Sequence, residues 1–134
     1  MLIFIPSYFD FVRVRNLLRA DSASMASLCE YTTTADVSRA RANFFHGRRK
    51  ILLYTERAHF YHRYRIRGIQ RLVFYALPQN AHFYGELVNL TVESSASSCT
   101  VAFSQLESLQ LERIVGTKRA KKLIKGDATS HIFI

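Results

Sequence analysis

The sequence predicts an α/β fold: a mostly parallel sheet with helices on both faces. Three features carry that expectation. Short apolar runs alternate with stretches of helical period along all 134 residues. Several runs are apolar at consecutive positions, as strands buried on both faces require. Pro, Gly, Ser, Thr or Asn stands at the junctions, where strands stop and helices are capped.

In chain order, residues 2–5 (LIFI) form a first strand, which Pro6 stops. Ser7 caps a helix to about Arg19, with Phe11, Val14 and Leu18 at i, i+3 and i+7. Residues 28–31 read as a short second strand. Thr33 or Thr34 then caps a helix through Val37, Ala40 and Phe44, closed by Gly47. Residues 50–54 (KILLY) form a third strand. Thr55 begins a short helix or ordered loop to about Arg67, with Gly68 as the turn. Residues 72–77 (LVFYAL) are a fourth strand ended by Pro78, and Asn80 caps a helix through Phe83, Leu87 and Leu90. A Ser-rich turn leads to a fifth strand at 99–103. Ser104 opens a helix to about Val115, and after Gly116 a basic helix spans about 117–125. Residues 131–134 read as a final strand or a tail.

Ligands of parallel sheets bind at the carboxyl ends of the strands, beside helix N-termini. The expected functional edge therefore holds Pro6, Ser7, residues 31–34, Thr55, Glu56, Arg57, residues 78–80 and Ser104.

The length fits a single domain over 1–134 with a core that needs no disulfide or metal. An apolar fraction of 49% with 13% aromatics excludes a disordered chain. No apolar run approaches the ~20 residues of a membrane span. The apolar start lacks a basic flank and soon meets Pro6 and Asp10, so it reads as a buried strand, not a signal peptide. Cys29 and Cys99 stand 70 residues apart and form neither a zinc knuckle nor a redox pair. Both are expected to be buried, reduced thiols of an intracellular protein.

The net charge of +9 is local. Between Arg39 and Arg71, ten cations face only Glu56, while the rest of the chain balances nine basic with nine acidic groups. Nine of the ten are Arg, the residue suited to bidentate phosphate contacts. A polyanion, either nucleic acid or an acidic protein, fits this pattern better than a merely solubilising face.

Catalytic motifs are missing. Gly116-Thr117-Lys118 follows a helix and has no Gly five residues earlier, so it is no P-loop, and no GxGxxG is present. His59 and His62 have no third ligand nearby for zinc and read as solvated or stacking side chains. No cofactor or metal is expected. More specific is FYHRYRIRGIQR at 60–71, where aromatics alternate with cations. Rings that stack bases beside guanidiniums that engage phosphates are the chemistry of single-stranded RNA binding. The plainer alternative makes Phe60, Tyr61 and Ile66 core, with the arginines flanking them. Lys118, Arg119, Lys121, Lys122 and Lys125 form a second, weaker basic face.

LIFIPSYFDFVRVRNLL is similar to the strand and helix carrying motif IV of DEAD-box-type helicases. Phe44 and Gly47 fill the family's Phe-x-x-Gly spacing, Thr55-Glu56 stands where its motif V has Thr-Asp, and LVFYALPQNAHFY resembles the approach to motif VI. The resemblance covers almost the whole chain and implies the second RecA-like lobe of a helicase. Two departures stand out. Arg67-Gly68 follows Thr55 by twelve residues where motif V has about five, which makes residues 57–67 a basic insertion. Motif VI should supply several arginines after the last helix, yet no Arg or Lys lies between Arg71 and Arg113. Arginine fingers contribute ~10³–10⁵ in rate to phosphoryl transfer, so this lobe is not expected to belong to an enzyme.

A narrower family shares that degeneracy. LIFIPSYFDFVRVRN, SRARANFFHGRRKILLYTERAHFYHRYRIRGI and LQLERIVGTKRA closely resemble the digestive-organ-expansion-factor family of U3 small-nucleolar-RNA-associated proteins. That resemblance implies a non-catalytic, helicase-like component of the small-subunit processome in the nucleolus of the nucleus. It implies pre-rRNA or U3 snoRNA and processome proteins as partners in 18S rRNA maturation, no membrane, and a longer natural protein with a first lobe. Two alternatives stay open: an active ATP-dependent RNA helicase whose P-loop lobe lies elsewhere, and a purely protein-docking module. The candidate RNA-binding residues are Arg57, Arg63, Tyr64, Arg65 and Arg67, with Arg48, Arg49 and Lys50 extending the track. Ser7 and Thr55 match the family's backbone-binding positions.

Overall fold

The computed structural model describes residues 1–132. Five parallel strands, β1 (Leu2–Ile5), β2 (Met25–Leu28), β3 (Ile51–Thr55), β4 (Arg71–Phe74) and β5 (Ser98–Val101), form one sheet in the order β2-β3-β1-β4-β5. Six helices accompany them: α1 (Tyr8–Ala20), α2 (Thr34–Phe45), α3 (Glu56–His62), α4 (Ala81–Val88), α5 (Ser108–Val115) and α6 (Thr117–Lys125).

Strand alternation divides the core between two faces. Leu2, Phe4, Leu52, Tyr54, Leu72 and Phe74 point to the face covered by Val37, Ala40 and Phe44 of α2, Ala58 of α3 and Leu87 of α4. Ile5 and Leu53 point the other way, against Phe11 of α1. A third cluster joins Leu111, Ala120 and Leu123 of α5 and α6 to Leu77. The centre of the sheet is thus buried on both sides, which is why residues 2–5 and 51–55 read as continuous apolar runs. Each such side chain stabilises by about 1.5–3 kcal/mol.

Three caps fall where the sequence places them. Thr33 Oγ1 accepts from the Asp36 amide at 3.3 Å, Thr55 Oγ1 from Ala58 at 3.3 Å, and Asn80 Oδ1 from His82 at 3.0 Å. Ser7 holds the N-cap position of α1 without a side-chain cap bond. Ser104 and Glu107 form a reciprocal capping box, but they open a 3₁₀ turn (Gln105–Glu107) before α5, so the expected single helix is two pieces.

Several boundaries differ for physical reasons. The second strand is Met25–Leu28, not 28–31. Beyond Leu28, the Cys29 amide donates to Thr32 Oγ1 at 3.0 Å and the Thr32 amide returns to the Cys29 carbonyl at 3.1 Å, so a local turn replaces the ladder. The fourth strand stops at Phe74 because the Leu77 amide donates to the Glu107 carboxylate at 2.9 Å instead of to a neighbouring strand. Of the expected strand or tail at 131–134, residues 131 and 132 have no regular structure and the rest lie outside the described residues.

The cysteines also depart from expectation. Cys29 is half-buried and Cys99 is exposed, because β5 is an edge strand open to solvent. Cys29 follows β2 and Cys99 lies on β5, at opposite edges of the sheet. Four strand spacings of ~4.8 Å separate them, which no intramolecular disulfide can span.

Candidate nucleic-acid interface

The parallel order brings the five expected loops to one edge, and two carboxylates tie three of them together. Thr55 Oγ1 donates to Glu30 Oε2 at 3.0 Å, joining the end of β3 to the loop after β2. Glu56 accepts the amides of Gln79 and Asn80 at 3.1 and 3.0 Å, joining the start of α3 to the loop after β4, across β1 between them. Glu56 is 7% exposed and both its oxygens are occupied. The one acidic group of the basic window is therefore a structural tie, and its oxygens pair with amides and with none of the neighbouring arginines. Thr55 is 1% exposed with its hydroxyl both donating and accepting, so it holds α3 in place and offers no free hydroxyl to a phosphate.

A buried polar chain fixes the rest of α3. Tyr54 Oη and His59 Nδ1 are 3.0 Å apart, and His59 Nε2 and Glu86 Oε2 are 2.7 Å apart. His59 is 2% exposed and packs edge-on against Phe83, so of the solvated or stacking readings it is not the solvated one. His62 is exposed and stacks on Tyr64 at 4.9 Å and 17°. Burial pushes the Tyr54 phenol above its ordinary value. Partial burial pushes the Glu86 carboxyl up, but the His59 hydrogen bond and the Arg63 charge outweigh it and hold the carboxyl below its ordinary value.

Arg63 ends α3 in the left-handed region, at φ 42°. Its Nε lies 3.4 Å from Glu86, and its guanidinium stands 5.5 Å from the Phe83 ring centroid. The chain then runs back toward the amino edge, because β4 is parallel to β3 and must start there. Along this return the side chains alternate. Tyr64 is half-buried and Ile66 is 1% exposed, while Arg63, Arg65 and Arg67 face solvent. Residues 63–67 are thus a comb of arginines on an apolar backbone grip.

Arg41 of α2 strengthens the grip, donating from Nη2 to the Arg65 carbonyl at 2.7 Å with its guanidinium 5.6 Å from the Tyr64 centroid. Tyr64, occupied by His62 and Arg41, is therefore an anchor for the comb. Gly68 (φ +87°) closes the return against Phe45, where a Cβ would meet the Phe45 ring at 3.5 Å.

The candidate residues fall into two groups. Ser7, Thr55 and Arg57 lie at the carboxyl edge. Arg48, Arg49 and Lys50 precede β3 and lie at the amino edge, not beside the loops expected to be functional. The comb runs between the two, and the Gly68–Phe45 contact brings its lower end within a few residues of Arg48. Among the described residues, ion pairs engage Arg13, Arg39, His59 and Arg63, which leaves Arg57, Arg65 and Arg67 without carboxylate partners.

Sequence reasoning missed three contributors. Arg41 looks like one more cation of the window, and Glu30 and Glu86 are distant in sequence from the residues they hold. Phe60 and Tyr61, which the sequence offers either as base-stacking rings or as core, are 57% and 59% exposed, so they are not core, and they lie outside the comb. Helical period alone separates them from inward-facing Ala58 and His59.

Where motif VI would place arginines, α4 instead carries Glu86 toward α3, and Tyr84 packs at 5.1 Å on Phe74. The lobe has no P-loop and is not a P-loop lobe.

Solved structures share this architecture. The C-terminal domain of the DEAD-box protein Dbp5 superposes with a TM-score of 0.68 at 17% identity, covering 87% of this chain and 70% of that one. The E. coli DEAD-box protein SrmB gives 0.72 at 14% identity, over 97% of this chain and 81% of that one. The fold is thus that of a RecA-like helicase C-terminal lobe.

Sequence relatives are nearer. Protein NUCLEOLAR FACTOR 1 of Arabidopsis thaliana is 49% identical over 134 residues, 99% of this chain and 18% of that protein. The human U3 small nucleolar RNA-associated protein 25 homolog is 44% identical over 138 residues, again 99% of this chain and 18% of that protein. The chain thus spans about a fifth of the length of the curated relatives it matches. The family model described as Utp25, C-terminal domain, matches residues 1–133, and the chain belongs to that family.

Proposed function

We propose that this lobe is a non-catalytic RNA-contacting module of the small-subunit processome in the nucleolus, binding pre-rRNA or U3 snoRNA as well as neighbouring proteins. The observation that carries this reading is the comb. Arg65 and Arg67 project from a segment held by Tyr64, Ile66, Arg41 and Gly68, and no carboxylate competes for them among the described residues. Side chains carried on a backbone that is already held in place lose less freedom on meeting a phosphate backbone than those on an unanchored loop. Arg57 at one end, and Arg48, Arg49 and Lys50 at the other, lengthen the basic track. Relatives named for U3 small nucleolar RNA and for the nucleolus support the setting.

The non-catalytic part of the reading rests on the stretch between Arg71 and Arg113, which has no cation to stabilise a transferring phosphoryl group. Binding of the full-length protein to single-stranded pre-rRNA segments, measured across a salt series, tests the RNA part. Replacing Arg65 and Arg67 together should flatten the slope of log affinity against log salt by about 0.7 for each phosphate that is no longer neutralised. An unchanged slope contradicts the assignment.

A further inference from the structure

A cleft of about 700 Å³ opens at the carboxyl edge between α3 and the start of α4, apart from the arginine comb. Its wall is an aromatic pair. Phe60 and Tyr61 meet edge to face at 5.3 Å, yet each leaves more than half its surface in water. Single exposed aromatics are ordinary, but two adjacent rings lining one cleft are not.

The fold keeps them outside by construction. α3 is fastened through Thr55, Glu56, Ala58 and His59, which use up its inner face, so Arg57, Phe60 and Tyr61 turn outward. The rest of the rim is cationic or titratable: Arg57, Arg113 and His82, all exposed. Glu56 is the only acidic lining residue, and its oxygens are taken by the Gln79 and Asn80 amides. The cleft thus combines open π-faces with two rim arginines that have no ion-pair partner among the described residues.

That combination selects a ligand carrying both a flat ring and a negative charge. We propose that the cleft takes an unpaired nucleobase of single-stranded RNA, stacked on Tyr61 or Phe60, with Arg57 and Arg113 on the flanking phosphates. Stacking needs no particular base, since every base has a π-face. An apolar peptide would use the rings but gain nothing from the two arginines, and a duplex keeps its bases stacked out of reach. This site rests on the RNA reading above and adds a base contact to the backbone contacts of the comb.

The test uses full-length protein and single-stranded RNA containing 2-aminopurine, whose fluorescence reports stacking, alongside an abasic version of the same strand. Tyr61→Ala and Phe60→Ala should abolish the fluorescence change and weaken binding about ten-fold, while leaving the salt slope as in wild type. Tyr61→Trp should restore both. The abasic strand should bind wild type about as weakly as the intact strand binds Tyr61→Ala. Arg65→Ala with Arg67→Ala should flatten the slope and leave the fluorescence change intact.

If the alanine variants bind and report like wild type while the double arginine variant loses slope, the base site is wrong and the comb stands. If wild type binds no RNA, both fall. A photoreactive residue at 61 that captures a protein, or another part of the same chain, in place of RNA overturns the base site as well. Both positions are solvent-exposed, so circular dichroism should show the variants folded.

Discussion

His59 Nε2 lies 2.7 Å from Glu86 Oε2, and this contact ties α3 to α4 where the helicase lobes it resembles would begin to display their motif VI arginines. His59 in turn meets the buried Tyr54 phenol at 3.0 Å. The chain from Tyr54 through His59 and Glu86 to Arg63 is therefore a strut, and the basic surface is built on it.

Breaking the strut should loosen the surface. His59→Ala leaves the Tyr54 hydroxyl buried without its partner, at a cost of about 1–3 kcal/mol in addition to the missing packing on Phe83. Urea unfolding measures this directly. His59→Gln, which keeps a polar end, should recover part of the loss.

Acid should act through Glu86. Its folded carboxyl sits below the ordinary value of 4.5, so its contribution is present above that value and is lost as pH falls through the lower, folded one. Thermal unfolding followed from pH 6 to pH 3 should show that loss, and Glu86→Gln should diminish it.

Glu56 is expected to matter more for architecture than for charge. Removing it leaves the Gln79 and Asn80 amides unpartnered, at about 1–3 kcal/mol, even though it adds one positive unit to a basic window. A surface chosen for positive charge alone would gain RNA affinity from Glu56→Ala. The structure predicts lower stability in urea unfolding and a local rise in hydrogen exchange over residues 78–82.

At the centre of the sheet, Phe4 is fully buried and meets Phe74 at 5.3 Å and Tyr54 at 6.3 Å, edge to face. Phe4→Ala should cost about 3–5 kcal/mol, measured as the shift in denaturation midpoint.

The fold was legible because its central strands are apolar on both faces and its helices begin at Thr33, Thr55 and Asn80, which are local signals. What failed was non-local. Nothing in MASL announces a strand, because Met25–Leu28 forms by pairing with the strong Ile51–Thr55, and residues 28–31 turn away through Thr32. The candidate site divides in the same way. The alternation that makes Arg65 and Arg67 a comb is visible in RYRIR once the segment is known to be extended. A helical reading of the same residues scatters them. Glu30, Glu56 and Glu86 could not be assigned because their partners are 23 to 27 residues away. The edge on which Arg48, Arg49 and Lys50 sit follows only from the direction of β3.

The central claim is that this lobe touches RNA through residues 57–71. Ultraviolet crosslinking of the full-length protein in cells, with sequencing of the attached RNA and mapping of the crosslinked peptides, tests it most directly. The expected result is U3 or pre-18S RNA attached to peptides from Arg57 to Arg71. Recovery of those RNAs only through other proteins, with this lobe free of crosslinks, would contradict it.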